Sequence, residues 1–271
     1  ISRAKRDEIL QQSRSVIFEL MEHDLLSEGI ASSCGRIKRI NTDPSLRVVF
    51  IETTKRCNLR CKHCYVPDCH DKLADHTRGS QLTAANISCL ISQCDDLGIM
   101  EVQLTGGEFF MLPESLEIIQ QLQYFLIPCS IFTNATLIAE NTFEYISVNN
   151  YGLIFYVSLD GYEETHDSFR RRRGAFERTV ESIKRLLRIG CDVRINTAVG
   201  RHNIMEMRQF IEFVRKEFGV LHRLVTIEPI GRADMEMTIS PEEFAGLLTD
   251  SDSSFEFLDS HDSVSDWSIP A

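Results

Sequence analysis

The chain has 271 residues and a formal net charge of −11 at pH 7, with 43% hydrophobic and 25% charged residues. That length buries one large core, and the acidic balance argues against a nucleic-acid interface, whose footprint is basic. No apolar run reaches a membrane span and no signal-peptide pattern opens the chain, so a cytoplasmic protein is expected, with neither membrane nor nucleic acid as partner.

In chain order, Ile1–Glu28 carries Ile9, Val16, Ile17, Leu20 and Leu25 on one face and predicts a helix, followed by a linker with Gly35, Asn41 and Pro44. Val48–Thr53 is a β-branched and aromatic run that predicts a strand. It feeds a loop holding Cys57, Cys61 and Cys64 in a C-x3-C-x2-C spacing. Ala84–Leu97 predicts a helix and Val102–Thr105 a second strand, which runs into Gly106-Gly107-Glu108. The alternation continues through a helix at Pro113–Tyr124, a strand at Ile127–Thr133, a helix at Leu137–Val148 and a strand at Leu153–Leu159. It then passes through a helix at Gly174–Ile189, a strand at Asp192–Val199, a helix at Asn203–Phe218 and a strand at Leu224–Glu228. Six strands alternating with helices imply parallel strands joined by right-handed crossovers. The expected fold is therefore α/β, a partial (β/α)6 TIM-like barrel over residues 46–232 with an N-terminal helical extension over 1–45. Residues 233–271 open with a helix capped by Ser240 and Pro241, and Thr249–Asp266, rich in Ser and Asp, predicts an irregular segment that leaves the sixth strand's edge uncovered.

The cysteines carry the chemistry. Nine in a chain without secretory context fit metal ligation in a reducing compartment better than disulfides. Three thiolates on one loop can bind three irons of a [4Fe–4S] cube and leave the fourth for a small molecule. The alternative is zinc with a fourth ligand such as Cys69 or His70, although a C-x3-C step is less usual in structural zinc sites. Of the others, Cys34, Cys89, Cys94, Cys129 and Cys191 read as small core residues. In Gly106-Gly107-Glu108 the glycines let the backbone approach a ligand closely, and the carboxylate can accept hydrogen bonds from an ammonium group. In parallel β/α barrels the chemistry sits at the C-terminal strand ends. The cysteine loop, Gly-Gly-Glu, Thr133-Asn134, Ser158-Leu159-Asp160 and Glu228 all fall there.

The cysteine spacing with its trailing aromatic, followed by Gly-Gly-Glu after the second strand, resembles the radical S-adenosylmethionine (radical SAM) superfamily. The segment Tyr156–Arg170, with Ser-Leu-Asp-Gly, a His-Asp pair, arginines and a Gly-x-Phe helix start, is similar to its SPASM and twitch branch, which includes peptide maturases and anaerobic sulfatase-maturing enzymes. The resemblance implies that Cys57, Cys61 and Cys64 hold a [4Fe–4S] cluster whose open iron chelates S-adenosylmethionine. It implies that Gly106, Gly107 and Glu108 hold the methionine amino group, that Ser158 and Arg170 hold its carboxylate, and that Asn134 faces the ribose. Tyr65, Val199 and Ile227 would touch adenine. Within the arginine run Arg171 and Arg172 are alternatives to Arg170, and Ala135 stands where the family often has glycine.

The function so implied is reductive cleavage of S-adenosylmethionine to a 5′-deoxyadenosyl radical, which takes hydrogen from a peptide or small precursor, with peptide maturation favoured. The electron would come from a donor such as flavodoxin or ferredoxin. A cofactor-biosynthesis enzyme of molybdopterin or haem type is the alternative, and a zinc or Fe–S scaffold without turnover is the alternative of another class. The N-terminal helix would be the tail of a peptide-recognition domain or a cap on the barrel base. No cysteine follows Cys191, but the ending Asp266–Ala271 resembles the approach to an auxiliary-cluster segment, so the last residues would lead toward a domain holding auxiliary Fe–S clusters, with a minimal enzyme lacking them as the alternative.

Overall fold

A parallel sheet whose strands lie side by side in chain order organises the molecule. The computed structural model describes residues 47–66, 84–97, 99–248 and 255–257. The elements are β1 (Val48–Thr54), α1 (Ala84–Leu97), β2 (Glu101–Gly106), α2 (Ser115–Tyr124), β3 (Cys129–Thr133), α3 (Glu140–Ile146) and β4 (Leu153–Ser158). There follow α4 (Glu163–Arg170), α5 (Ala175–Arg188), β5 (Asp192–Val199), α6 (Met207–Phe218), β6 (His222–Thr226), α7 (Pro241–Leu248) and β7 (Phe255–Phe257). The order β1 to β7 leaves the sheet open, as a partial TIM-like barrel rather than a closed one. No described helix is long and apolar enough to cross a membrane.

Period-two alternation decides which face of the sheet meets the helices. Val102 and Leu104 on β2, Phe155 and Val157 on β4, and Val193 and Ile195 on β5 are buried in one core cluster. Helices meet them with residues at helical spacing: Ala175, Thr179, Ile183 and Leu186 on α5, and Met207, Phe210, Ile211, Val214 and Phe218 on α6. Gly219, left-handed at φ 62°, ends α6. Helix α7 opens with a reciprocal capping box: Glu243 N donates to Ser240 Oγ at 3.2 Å, and Ser240 N donates to Glu243 Oε2 at 2.8 Å.

Three expectations change. Helix α4 lies where none was predicted, because its inward side chains, His166, Phe169 and Arg170, make no apolar stripe. Strand β6 begins two residues earlier than expected, on the buried His222, and Glu228 lies past its end, exposed to solvent. The segment expected to be irregular contains β7, which pairs with β6 from His222↔Phe255 to Leu224↔Phe257, so the sixth strand's edge is covered. The predicted N-terminal helix, Cys34, Cys69 and His70 fall outside the described residues.

Candidate active site

The C-terminal ends of β1 to β5 surround one cleft. Its lining includes Cys57, Cys61, Cys64, Tyr65, Gly106, Gly107, Glu108, Asn134, Ser158 and Arg170, which are ten of the twelve residues singled out from the sequence. Val199 and Ile227 are not among them. Val199 points into the main core, and Ile227 packs with Phe169 and Ala233. On β5 the parity of the strand puts Asn196 and Ala198 into the cleft instead.

The cysteine loop is held from three sides. A register shift between Glu52 and Thr54 bends the end of β1 into the loop. From β2, Gly107 N donates to Thr54 O at 2.6 Å and Glu108 N donates to Arg56 O at 2.8 Å. A Cβ on Gly107 would collide with the carbonyls of Lys55 and Arg56, and Gly106, at φ 137°, is equally pressed against Thr54. The two glycines therefore serve first to bring β2 against the chain's own cysteine loop. From α4, Phe169 O accepts from Lys62 N at 2.9 Å and Arg170 O accepts from Arg60 N at 3.3 Å. From beyond β6, Arg232 N donates to Cys64 O at 3.0 Å, while Arg232 Nη1 and Nη2 reach Cys61 O and Val66 O, each at 3.3 Å. Gly231, at φ 67°, lets this segment lie on Tyr65 and Cys64. Nothing in the sequence near Gly231 signals this clamp, because its partners lie so far back along the chain.

Glu108 is 1% exposed and fully engaged on one side. Its Oε1 accepts from Thr133 Oγ1 at 2.6 Å and Phe110 N at 3.1 Å, and its Oε2 accepts from Asn134 N at 2.8 Å. Burial pushes this carboxyl above its ordinary range, while Thr133, Asn134 N, Phe110 N and the Arg170 charge pull it back. A carboxylate offers about four acceptor positions, and these three donors leave one on Oε2. Asn134 turns its amide to Asn58 Oδ1 at 3.0 Å and accepts from Thr136 Oγ1 at 2.6 Å, which ties β3 to the cysteine loop. Just after it, Ala135 is left-handed at φ 57°, the conformation that favours the glycine it replaces. Ala135→Gly is expected to raise stability by up to about 1 kcal/mol in urea unfolding, the relieved strain exceeding the added unfolded-state entropy. An unchanged midpoint would mean that the two terms cancel.

Within the arginine run only Arg170 turns inward; Arg171, Arg172 and Arg173 are exposed. Its Nε donates to Asp160 Oδ2 at 2.6 Å and its Nη1 reaches Cys61 Sγ at 3.6 Å. Asp160, fully buried, also accepts from Ala198 N at 3.0 Å and donates its own N–H to His166 Nδ1 at 3.1 Å. Burial pushes the Asp160 carboxyl up, but the Arg170 guanidinium beside it wins and holds it well below the usual carboxylate range. Burial likewise pushes the Cys61 thiol up, against the pull of Arg170. His166 therefore supports Asp160, while the adjacent Asp167 caps α5, accepting from Phe176 N at 2.8 Å. Asp160 is the cleft residue most easily overlooked in the sequence; its signal is the Asp of Ser-Leu-Asp-Gly at a strand end.

His166 and His222 are structural. Burial pushes them down to about 4 and about 3 respectively. Unfolded histidine titrates near 6.5, so below that pH the unfolded chain takes up protons that the folded one refuses. Stability is intact above about pH 6.5 and falls as the pH drops toward 4. Going from pH 7 to pH 5 is expected to cost about 4 kcal/mol for these two rings, at about 1.4 kcal/mol per histidine per pH unit, and His63 and His202, likewise pushed down to about 4 by burial, add to the loss. Urea unfolding of the metal-free protein at both pH values measures this, and equal midpoints would contradict it.

The donor set suits an Fe–S cube. Among the described residues no three His, Cys, Asp or Glu side chains converge where a single metal ion could sit. A cube makes no such demand, since each thiolate binds its own iron, and the N–H of Arg170 aimed at Cys61 matches the hydrogen bonds that cluster sulfurs accept.

Comparison with known proteins agrees. Residues 51–214 match the family model of the Radical SAM superfamily. The chain is 31% identical over 165 residues to the antilisterial bacteriocin subtilosin biosynthesis protein AlbA of Bacillus subtilis (strain 168), covering 60% of this chain and 36% of that protein. It is 29% identical over 203 residues to an AdoMet-dependent heme synthase of Methanosarcina barkeri, covering 74% of this chain and 56% of the relative. The fold is shared with Streptococcus suis SuiB bound to the precursor peptide SuiA, at TM-score 0.65 and 18% identity, over 89% of this chain and 49% of that one. The chain thus spans between about a third and a little over half of the length of these relatives. With the family model covering residues 51–214 and the cysteine loop, Gly-Gly-Glu and Arg170 gathered at one cleft, the chain belongs to the radical SAM superfamily.

Proposed function

We propose that this chain is the core of an enzyme that cleaves S-adenosylmethionine reductively and abstracts hydrogen from a peptide. The observation that carries the reading is the single cleft shared by three cysteines, Glu108 and the Asp160–Arg170 pair. Cys57, Cys61 and Cys64 would each hold one iron. When bound, the [4Fe–4S] cluster supplies the electron that breaks the C5′–S bond of S-adenosylmethionine. Glu108 would accept the methionine ammonium on the remaining position of Oε2. Arg170 and Ser158 would take the carboxylate, with the guanidinium oriented by Asp160, which leaves Arg170 donors beyond Nε and Nη1. Gly106, Gly107 and Arg232 fix the loop, so that the cysteines and Glu108 keep one geometry. Asn134 and Tyr65 line the same cleft and would flank the nucleoside; Ala198, in the position expected of Val199, would meet adenine. The electron donor would be a flavodoxin or ferredoxin.

A peptide substrate is favoured by the likeness to a bacteriocin biosynthesis protein, and cofactor biosynthesis by the longer match to a heme synthase. Anaerobic reconstitution with iron and sulfide, followed by S-adenosylmethionine and dithionite, tests the chemistry. The expected result is a brown protein that releases 5′-deoxyadenosine; a colourless protein carrying only zinc refutes the reading.

A further inference from the structure

The cysteine loop has two sides. Leu59, Cys61 and His63 line the cleft, and the residues between them, Arg60 and Lys62, do not. Arg60 is exposed and Lys62 half-buried. Their backbone N–H groups donate to Arg170 O at 3.3 Å and to Phe169 O at 2.9 Å, which sets them beside the end of α4. There Arg171, left-handed at φ 53°, stops the helix, and Arg171, Arg172 and Arg173 are all exposed. Five cations thus gather at one place in a chain of net charge −11. Elsewhere on the surface cations stand against acids, as Arg201 with Glu243, Lys184 with Glu217 and Arg215 with Glu212. None of these five makes an ion pair among the described residues; Lys62 Nζ reaches only Ser168 Oγ, at 3.4 Å. Asp167 is spent on Gly174 N and Phe176 N, and Glu163 and Glu164 stand in the first turn of α4, at its other end. Glu177, the one acid in the first turn of α5, pairs with none of the five. Unpaired like charges repel, and together they make a local positive potential on a protein that is acidic overall.

We propose that this patch is the landing surface of the electron donor, a small carrier protein with an acidic face around its redox group. Position selects this occupant over other polyanions. Arg60 and Lys62 are the covalent neighbours of Cys61, so a carrier seated on them stands one backbone's width from a cluster thiolate. It gets there without entering the cleft that S-adenosylmethionine and the substrate would fill. Electron-transfer encounters are weak and small, below about 1,200 Å² of buried surface, so a patch on one loop and one helix end suffices. The acidic remainder of the surface repels such a carrier, and the patch steers it to this side. One electron leaves the carrier's redox group and enters the cluster; the carrier is oxidised by one electron, the cluster is reduced by one, and no bond or proton moves. The inference rests on the reductive reading proposed above and names the side from which its electron arrives.

The test uses the reconstituted protein with an acidic flavodoxin as probe. Calorimetry follows binding of the oxidised flavodoxin, and stopped-flow absorbance follows bleaching of the cluster by the reduced one. Both should weaken at least about tenfold between about 0.01 M and about 1 M salt, as the screening length falls from about 30 Å to about 3 Å. Arg60→Gln with Lys62→Gln and, separately, Arg172→Gln with Arg173→Gln should each slow reduction by flavodoxin about tenfold at low salt. Reduction by methyl viologen radical, a small cation that needs no basic surface, should hold its rate in both. The two pairs lie on different segments, so a local folding defect in one leaves the other to decide. Reduction by flavodoxin that ignores salt, or that is undiminished in both pairs, overturns the surface. A loss shared equally by flavodoxin and methyl viologen overturns it too, since it reports a structural role. If both pairs instead lose binding to a random RNA or to phosphatidylserine vesicles while flavodoxin reduces them normally, the patch belongs to that polyanion and the carrier is refuted. Release of 5′-deoxyadenosine under dithionite is scored in parallel. Its release without a patch-dependent response to flavodoxin refutes the surface and leaves the radical chemistry standing; patch-dependent flavodoxin binding without it does the reverse.

Discussion

Replacing Cys57, Cys61 or Cys64 with alanine is expected to reduce bound iron from about four per chain to below one and to abolish release of 5′-deoxyadenosine. Each thiolate would hold one iron, so no two of them suffice to keep a cube whose fourth iron must stay open. The thiols are small and the loop is anchored through backbone groups of Thr54, Phe169 and Arg232, so the fold should survive each change. Cys69→Ala is the discriminating companion. In the zinc reading it removes a ligand; in the cluster reading iron content stays whole. Iron analysis and the visible absorbance of the reconstituted variants decide, and iron loss from the Cys69 variant alone would point to a four-ligand site.

Asp160→Ala should be the most damaging substitution away from the cysteines. It strands the Arg170 guanidinium in the interior with the Cys61 sulfur as its one remaining hydrogen-bond partner among the described residues, and it leaves Ala198 N without its acceptor. Breaking a buried pair by removing one member costs about 3–5 kcal/mol, because the remaining charge keeps its desolvation cost and loses its partner. The double variant Asp160→Leu with Arg170→Met should recover a large part of that loss while failing to bind S-adenosylmethionine. Urea unfolding of the four corners of this cycle gives the coupling directly. A single-variant loss below about 1 kcal/mol would show that the guanidinium finds another partner.

The sequence carried the sheet and most of the site, for identifiable reasons. The parallel sheet followed from six strand-like runs alternating with helices, among them Asp192–Val199, whose bounds matched residue for residue. The cysteine loop and Gly-Gly-Glu were legible because their chemistry is written in adjacent residues. Val199 lies off the cleft because a one-residue offset in a strand reverses the face, and Ile227 lies past the end of β6; an apolar residue gives no sign in the sequence of which side it packs on. Helix α4 was invisible because its buried side is made of His166 and Arg170, which no hydrophobic periodicity reveals. The Gly231–Arg232 clamp depends on contacts made across the fold, and no local pattern encodes it.

The order of the strands also sets an order of assembly. Because β1 to β7 follow one another in both chain and sheet, each βα unit can dock on its predecessor as it leaves the ribosome. The cysteine loop is therefore among the first described parts to emerge and among the last to be secured, since Arg232 reaches Cys61 O across 171 positions of sequence. During synthesis the loop of three thiols is held first at Thr54 and Arg56 by the end of β2 and then by α4, and it lacks its last clamp while the sheet grows beside it. Iron delivered before β6 has docked would meet a cysteine loop still without the Arg232 clamp and without Gly231 closed over Tyr65.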